Sequence, residues 1–489
     1  RKTKMLMTRL SAIACALVAT VACVTEVRAA DAAQPEAAAL AASESQIPNP
    51  SLLTPYKDQQ PIVLVVRDAR KPEVWGALKK FWNVAPVESV DPSTGEKVTR
   101  QGVFIKVPLG LNTAPSIPAE NPLTAEKVML GKKLYFDPIL SANNKVSCAS
   151  CHNPQLGYSD QLTTSTGIFE QKGGMNAPTV YNSGFNSLQF WNGRAASLEE
   201  QAQGPPQNPS EMHDGKGNAW FKAVERIKAK PEYVKSFAQV FGTAPTRDAI
   251  AKAIGAYERL VLTGNSVVDR ADLAMRERVE EDGGGKLEPN AADYAKVLKA
   301  AIAAKDAEAL SALNLEVGSE PAKVSQVAAS LANGRNLFFN KARCASCHVG
   351  DNYTDNAFHN LGVGAKEGQW VSADLGRYGA QPTGHKDAAH VGAYKTPGLR
   401  QLLSTAPYMH DGSETSLEAV VDLYNRGGNL NPHLDGKMRD ADAERDAAKA
   451  GKSAVIPRKL LLTADEKKDL ILFMRGLQGD PVDALISAP

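Results

Sequence analysis

Cysteine is scarce in this chain: six in 489 residues, and two of them, Cys15 and Cys23, fall within the first thirty. The other four sit in two short strings, so no thiol is left over for a disulfide framework. Net charge is also small. Formal net charge is +2, and residues 1–30 carry five of the 56 Lys/Arg but one of the 54 Asp/Glu. The remainder therefore holds 51 basic against 53 acidic side chains, which gives no electrostatic footprint for nucleic acid. Long apolar runs are missing too. The best one, Leu10 to Val24, is too short and too rich in alanine for a stable membrane span. Preceded by Arg1, Lys2, Lys4 and Arg9 and followed by Val27-Arg28-Ala29-Ala30, it reads as a secretory signal over residues 1–30, with Met5 or Met7 as the start. A retained N-terminal anchor is the alternative.

What is present is concentrated in two strings, Cys148-Ala-Ser-Cys151-His152 and Cys344-Ala-Ser-Cys347-His348. Each is C-x-x-C-H, the spacing for covalent attachment of a c-type haem. Two thiols add to the haem vinyl groups, and the adjoining imidazole binds iron from the proximal side. Zinc would want four ligands, usually as two close pairs. Each string offers three, and the strings lie far apart. A redox C-x-x-C has no need of the histidine. The expected cofactors are two covalently bound haem c groups.

Length allows more than one core. Residues 31–60 are rich in Ala, Pro and Ser and read as a leader. Ile62–Val66 and Gly102–Val107 are β-prone, with a turn at Pro92-Ser-Thr-Gly95. From about residue 118 the pattern turns helical. Thr124 caps an apolar-periodic run to Phe136, and Ser330–Phe339 resembles it, both placing Gly, Leu and two aromatics ahead of a haem string. Ala249–Leu262 and Thr463–Leu477 are amphipathic, the latter with Leu470, Phe473 and Leu477 on one face. Residues 265–325, with Gly283-Gly-Gly285 and helical stretches 291–304 and 306–313, read as an inserted helical hairpin near a domain junction.

From about residue 118 onward the chain resembles the bacterial di-haem cytochrome c peroxidases and their MauG-like relatives. The resemblance is carried by Gly131-Lys-Lys-Leu-Tyr-Phe-Asp-Pro138, Cys148-Ala-Ser-Cys-His-Asn-Pro154, Asn176-Ala-Pro-Thr-Val180 and Phe190-Trp-Asn-Gly-Arg-Ala195. It continues through Asn208-Pro-Ser-Glu-Met212, Lys395-Thr-Pro-Gly-Leu-Arg400 and Thr405-Ala-Pro-Tyr-Met-His-Asp-Gly412. It implies a mainly α fold of two cytochrome c-like haem domains in tandem, with a small β-containing N-terminal appendage. The limits expected are 31–117 for leader and appendage, 118–264 for the N-terminal peroxidatic domain, 265–325 for the inserted segment and 326–489 for the C-terminal electron-transfer domain.

The same resemblance assigns roles. His152 and His348 are the proximal ligands. Glu211 is the distal acid–base group, Gln201 orients peroxide, Pro205 shapes the pocket and Trp191 relays electrons between haems. Ile168 stands where many relatives carry a histidine that blocks the peroxide iron, so a permanently open first haem is expected. The distal ligand of the second haem is Tyr424 by spacing, with Met409 as the alternative. A calcium ion is expected on the Asn176 side chain and the backbone oxygens of Thr405 and Pro407. Of the remaining histidines, His410 and His433 are those expected nearest a haem. The implied function is reduction of hydrogen peroxide to water in the periplasm, through a bis-ferryl intermediate, with electrons from a small cytochrome c or cupredoxin. The implied partners include neither nucleic acid nor membrane, and a homodimer is compatible with them. The alternatives are a MauG-like enzyme that oxidises a protein side chain and a non-catalytic di-haem electron carrier.

Overall fold

Side-chain caps define where the helices begin. The computed structural model describes residues 62–66, 82–90 and 97–489, and it is mainly helical. The expected signal, the leader and the turn at 92–95 lie outside the described residues. The longer helices are α1 (Ala125–Phe136), α2 (Ala219–Lys228), α3 (Pro231–Phe241), α4 (Arg247–Glu258) and α5 (Val267–Glu281). They continue with α6 (Ala291–Ala303), α7 (Pro321–Phe339), α8 (Leu417–Asn425), α9 (Ala441–Lys449) and α10 (Ala464–Arg475). Thr124 opens α1 by accepting from the Lys127 N–H, and Thr463 with Glu466 forms a capping box on α10.

Apolar clusters form beside each haem string, two at the first and one at the second. At the first string, α1 packs on α4, and a Cβ at Gly131 would collide with the backbone of Ala253. Tyr135, Tyr257, Leu260 and Val261 fill one of its clusters, and Ile486 returns from the C-terminus to join it. The Tyr257 hydroxyl donates to the Ile486 carbonyl at 3.0 Å. At the second string α7 packs on α10, and Gly334 plays the part of Gly131 against the Asp469 backbone. Leu470, Phe473 and Leu477 are all buried there. Full burial of such side chains contributes about 1.5–3 kcal/mol each. The internal repeat read from Gly, Leu and paired aromatics thus corresponds to one packing device used twice.

The segment read as an inserted hairpin is built into the cluster at the second string. Helices α5 and α6 pack on each other, α6 packs on α7, and Val268, Tyr294, Leu298 and Leu310 share a cluster with Phe338 and Phe473. At the N-terminal side lies a three-stranded sheet of β1 (Ile62–Val66), β2 (Trp82–Val90) and β3 (Lys97–Lys106), in the order β1-β3-β2. β1 runs parallel and β2 antiparallel to β3. Two-residue strands β4 (Phe358–His359) and β5 (Tyr394–Lys395) pair antiparallel near the second string.

A buried ion pair ties these parts together. Arg400 and Asp269 are 4 % and 5 % exposed and bond at 2.7 and 3.0 Å. Arg400 also donates to the carbonyls of Asp351 and Gly110, while Asp269 accepts from Ser266 at the start of α5. Replacing Arg400 by Met strands the carboxylate and should destabilise the protein by about 3–5 kcal/mol. A urea titration of the purified protein checks this; an unmoved midpoint would contradict it.

Candidate haem-binding active site

The first haem string forms one helical turn, Cys148–Cys151, and the second a 3₁₀ turn, Cys344–Ser346. All four thiols are unpaired. Burial pushes the Cys148 thiol up, that of Cys151 up to about 11 and that of Cys344 up to about 12. Each histidine that follows is oriented through Nδ1. In His152 it faces the Tyr158 carbonyl at 3.3 Å, and in His348 the Tyr353 carbonyl at 2.9 Å. Such a bond fixes the tautomer and leaves Nε2 as the free ligand atom. Burial also holds both imidazoles below their ordinary pKa, so the neutral, metal-binding form prevails.

A single cavity of about 680 Å³ is bordered by Cys151 and His152 from one string and by Cys344, Cys347 and His348 from the other. Unpaired thiols, neutral buried imidazoles and this shared space fit two haem c groups.

The residues expected on the distal side of the first site come together on this cavity. Gln201 ends a short helix begun by Leu198, Pro205 opens a 3₁₀ turn, and Glu211 follows. Asn208 Nδ2 donates to Glu211 Oε1 at 2.6 Å. Burial raises the Glu211 pKa above its ordinary value, and the Asn208 bond and the Arg194 charge oppose that shift. The Arg194 guanidinium lies 3.4 Å over the Phe190 ring. The loop carrying Ile168 docks on the same segment: the Ile168 N–H donates to the Glu211 carbonyl at 2.8 Å. Its side chain is wholly buried and does not border the cavity.

Trp191 lies on the same cavity, its indole Nε1–H donating to the Asn176 carbonyl at 2.9 Å. Asn176, Thr405 and Pro407 all border it as well. Among the described residues no donor reaches Asn176 Oδ1 or the carbonyl oxygens of Thr405 and Pro407. Tyr424, on α8, and Met409 both line the cavity. Burial drives the Tyr424 phenol pKa up, with the Cys347 and Cys344 thiols adding to it. His410 lines the cavity, stacked at 3.5 Å on Tyr394, and burial lowers it to about 4. His433 does not line it.

Several residues here were not singled out by sequence reading. Asn208 was legible as part of Asn208-Pro-Ser-Glu211, three residues ahead of its partner. Lys395 opens the string Lys395-Thr-Pro-Gly-Leu-Arg400 and Glu258 lies within Ala249–Leu262, but their burial is a tertiary property that neither string displays. The Glu258 carboxyl borders the cavity with Oε2 unpartnered, and burial raises it to about 8. His359 sits between two carboxylates, Nδ1 to Asp435 at 2.8 Å and Nε2 to Asp355 at 2.9 Å. Burial opposes its charge, but these bonds outweigh it and raise the imidazole to about 10. Cys347, Asp355 and His359 lie within metal-binding reach of one another.

A family model described as di-haem cytochrome c peroxidase matches residues 125–277. The methylamine utilization protein MauG of Methylorubrum extorquens is 33 % identical over 374 residues, covering 76 % of this chain and 83 % of that protein. The cytochrome c551 peroxidase of Nitrosomonas europaea is 34 % identical over 312 residues, covering 63 % and 76 % respectively. Among solved structures, a MauG-like protein associated with microbial copper homeostasis is 28 % identical, with a TM-score of 0.55, covering 77 % of this chain and 95 % of its own.

Proposed function

The chain belongs to the family of di-haem cytochrome c peroxidases and MauG proteins, and from that premise we propose that it is a periplasmic enzyme reducing hydrogen peroxide to water. The observation carrying this reading is a buried, hydrogen-bonded Glu211 on the same cavity as His152, with Ile168 buried and not bordering that cavity. Bound haem supplies an iron that takes up the oxidising equivalents of peroxide.

The chain's own residues do the rest. Glu211 takes a proton from the peroxide oxygen nearer His152 and returns it to the far oxygen, which leaves as water. Two electrons and two protons complete the reduction of one peroxide to two waters. Asn208 holds the carboxylate in place, Gln201 orients the peroxide and Pro205 shapes the pocket. Trp191, anchored through its indole N–H, spans the two haem sites and relays electrons from the second to the first. Tyr424 would help hold the second haem through its iron, with Met409 as the alternative on the same cavity.

Asn176 Oδ1 and the carbonyl oxygens of Thr405 and Pro407 are hard donors suited to calcium. We assign residues 118–264 and 326–489 to the peroxidatic and electron-transfer haem domains, residues 1–30 to an export signal, and a small cytochrome c or cupredoxin as the donor. Among the described residues no helix is long and apolar enough to cross a membrane.

A MauG-like role, oxidation of a protein side chain, is the second reading, favoured by a tyrosine rather than a methionine at position 424. Two assays decide. Sustained peroxide turnover with reduced cytochrome c supports the first reading. Peroxide-dependent mass change in a co-expressed partner without such turnover supports the second, and slow peroxide reaction in both assays contradicts both enzymatic readings.

A further inference from the structure

The reaction as proposed leaves Lys395 without a role. Its side chain is 8 % exposed and borders the cavity. It has no hydrogen bond or ion pair with any described residue, and burial alone, with no charged neighbour, lowers its pKa to about 8. Lysine is seldom buried without a counter-charge, because taking an ammonium out of water is unfavourable unless something pairs with it.

The backbone ties Lys395 to the segment that follows the second haem string, where it pairs with Phe358. Asn176 and Lys395 hold matching positions, each two residues before a proline, Pro178 or Pro397, whose carbonyl lies against the imidazole of its own half, His152 or His348. The Asn176 N–H donates to the His410 carbonyl and the Lys395 N–H to the Trp191 carbonyl, both at 2.8 Å. These two bonds cross between the halves of the chain. Next to Lys395, the Thr396 carbonyl accepts from Thr354 at 2.6 Å, shortly after His348. Where the first half presents an amide oxygen that can hold a cation, the second presents a cation of its own.

We propose that Lys395 is the built-in counter-ion of the second haem, its Nζ donating to a propionate carboxylate of the group attached at Cys344 and Cys347. A fixed positive charge there offsets the propionate and favours the ferrous state, holding that haem's potential up. The inference rests on the di-haem reading.

The test is a spectroelectrochemical titration of the purified two-haem protein, comparing wild type with Lys395→Met and Lys395→Arg. Pyridine haemochrome absorbance first counts the haems. Fewer than two in wild type would speak against the di-haem reading itself. With two in place, Lys395→Met lowers the midpoint potential of the haem whose spectrum added azide leaves unchanged, and makes it newly pH-dependent as the unpaired propionate titrates. Lys395→Arg stays close to wild type. Lys395→Gln, neutral but polar, serves the same purpose should the methionine variant load poorly. An unchanged second-haem potential in the neutral variants, or a shift confined to the first haem, overturns the proposal.

Discussion

Glu211→Gln should lower kcat/KM for hydrogen peroxide by about 100- to 10,000-fold, the range over which a positioned acid–base group acts. The amide keeps the shape of the side chain and can still accept from Asn208 Nδ2, so haem loading and fold are expected to survive. What it cannot do is carry a proton from one peroxide oxygen to the other. The pH profile supplies an independent check. Glu211 works as a base only when ionised, and burial raises its pKa above the ordinary 4.5. The acid limb of kcat/KM in the wild type should therefore lie above that value, with activity rising as pH rises through it. The limb should vanish in the amide variant. A variant that turns over peroxide at nearly the wild-type rate would remove Glu211 from the chemistry.

Tyr424→Met should raise the midpoint potential of the second haem by a sizeable part of the about 0.8 V span that axial ligation commands. A phenolate oxygen is hard and anionic and stabilises ferric iron; a thioether is soft and neutral and stabilises ferrous iron. Burial holds the Tyr424 phenol neutral by itself, so ionisation needs a nearby cation, which ferric iron would provide. Met409→Leu is the matching control and should leave the potential nearly unmoved. An unchanged potential in Tyr424→Met with a large shift in Met409→Leu would exchange the two assignments.

Much of the helical frame was legible, because it rests on local chemistry. Thr124 caps the helix it was expected to cap, and Leu470, Phe473 and Leu477 face the core as their spacing required. Strand β2 escaped notice because Pro86 argues against a strand interior. The sheet order leaves β2 on an edge, the position in a sheet where proline is tolerated. Helices α2 and α3 also went unread, although Asn218 caps the first, Pro231 opens the second and Gly242 ends it at φ +65°.

At the site, both C-x-x-C-H strings announce their chemistry by spacing alone, whereas Glu211, Trp191 and Tyr424 needed a family resemblance to stand out. The structure brings all three to one cavity with both histidines. The burial of Lys395 and Glu258 was beyond reach, since a charged side chain reads as exposed until its surroundings are known.

An iron open to peroxide without prior reduction is expected at the first haem, because the loop that carries a blocking histidine in many relatives here carries Ile168, which is buried and does not border the cavity. An EPR spectrum of the untreated ferric protein tests it most directly. The expected spectrum contains a high-spin signal from the first haem beside a low-spin signal from the second, in equal amounts. Two low-spin signals and no high-spin signal would contradict it.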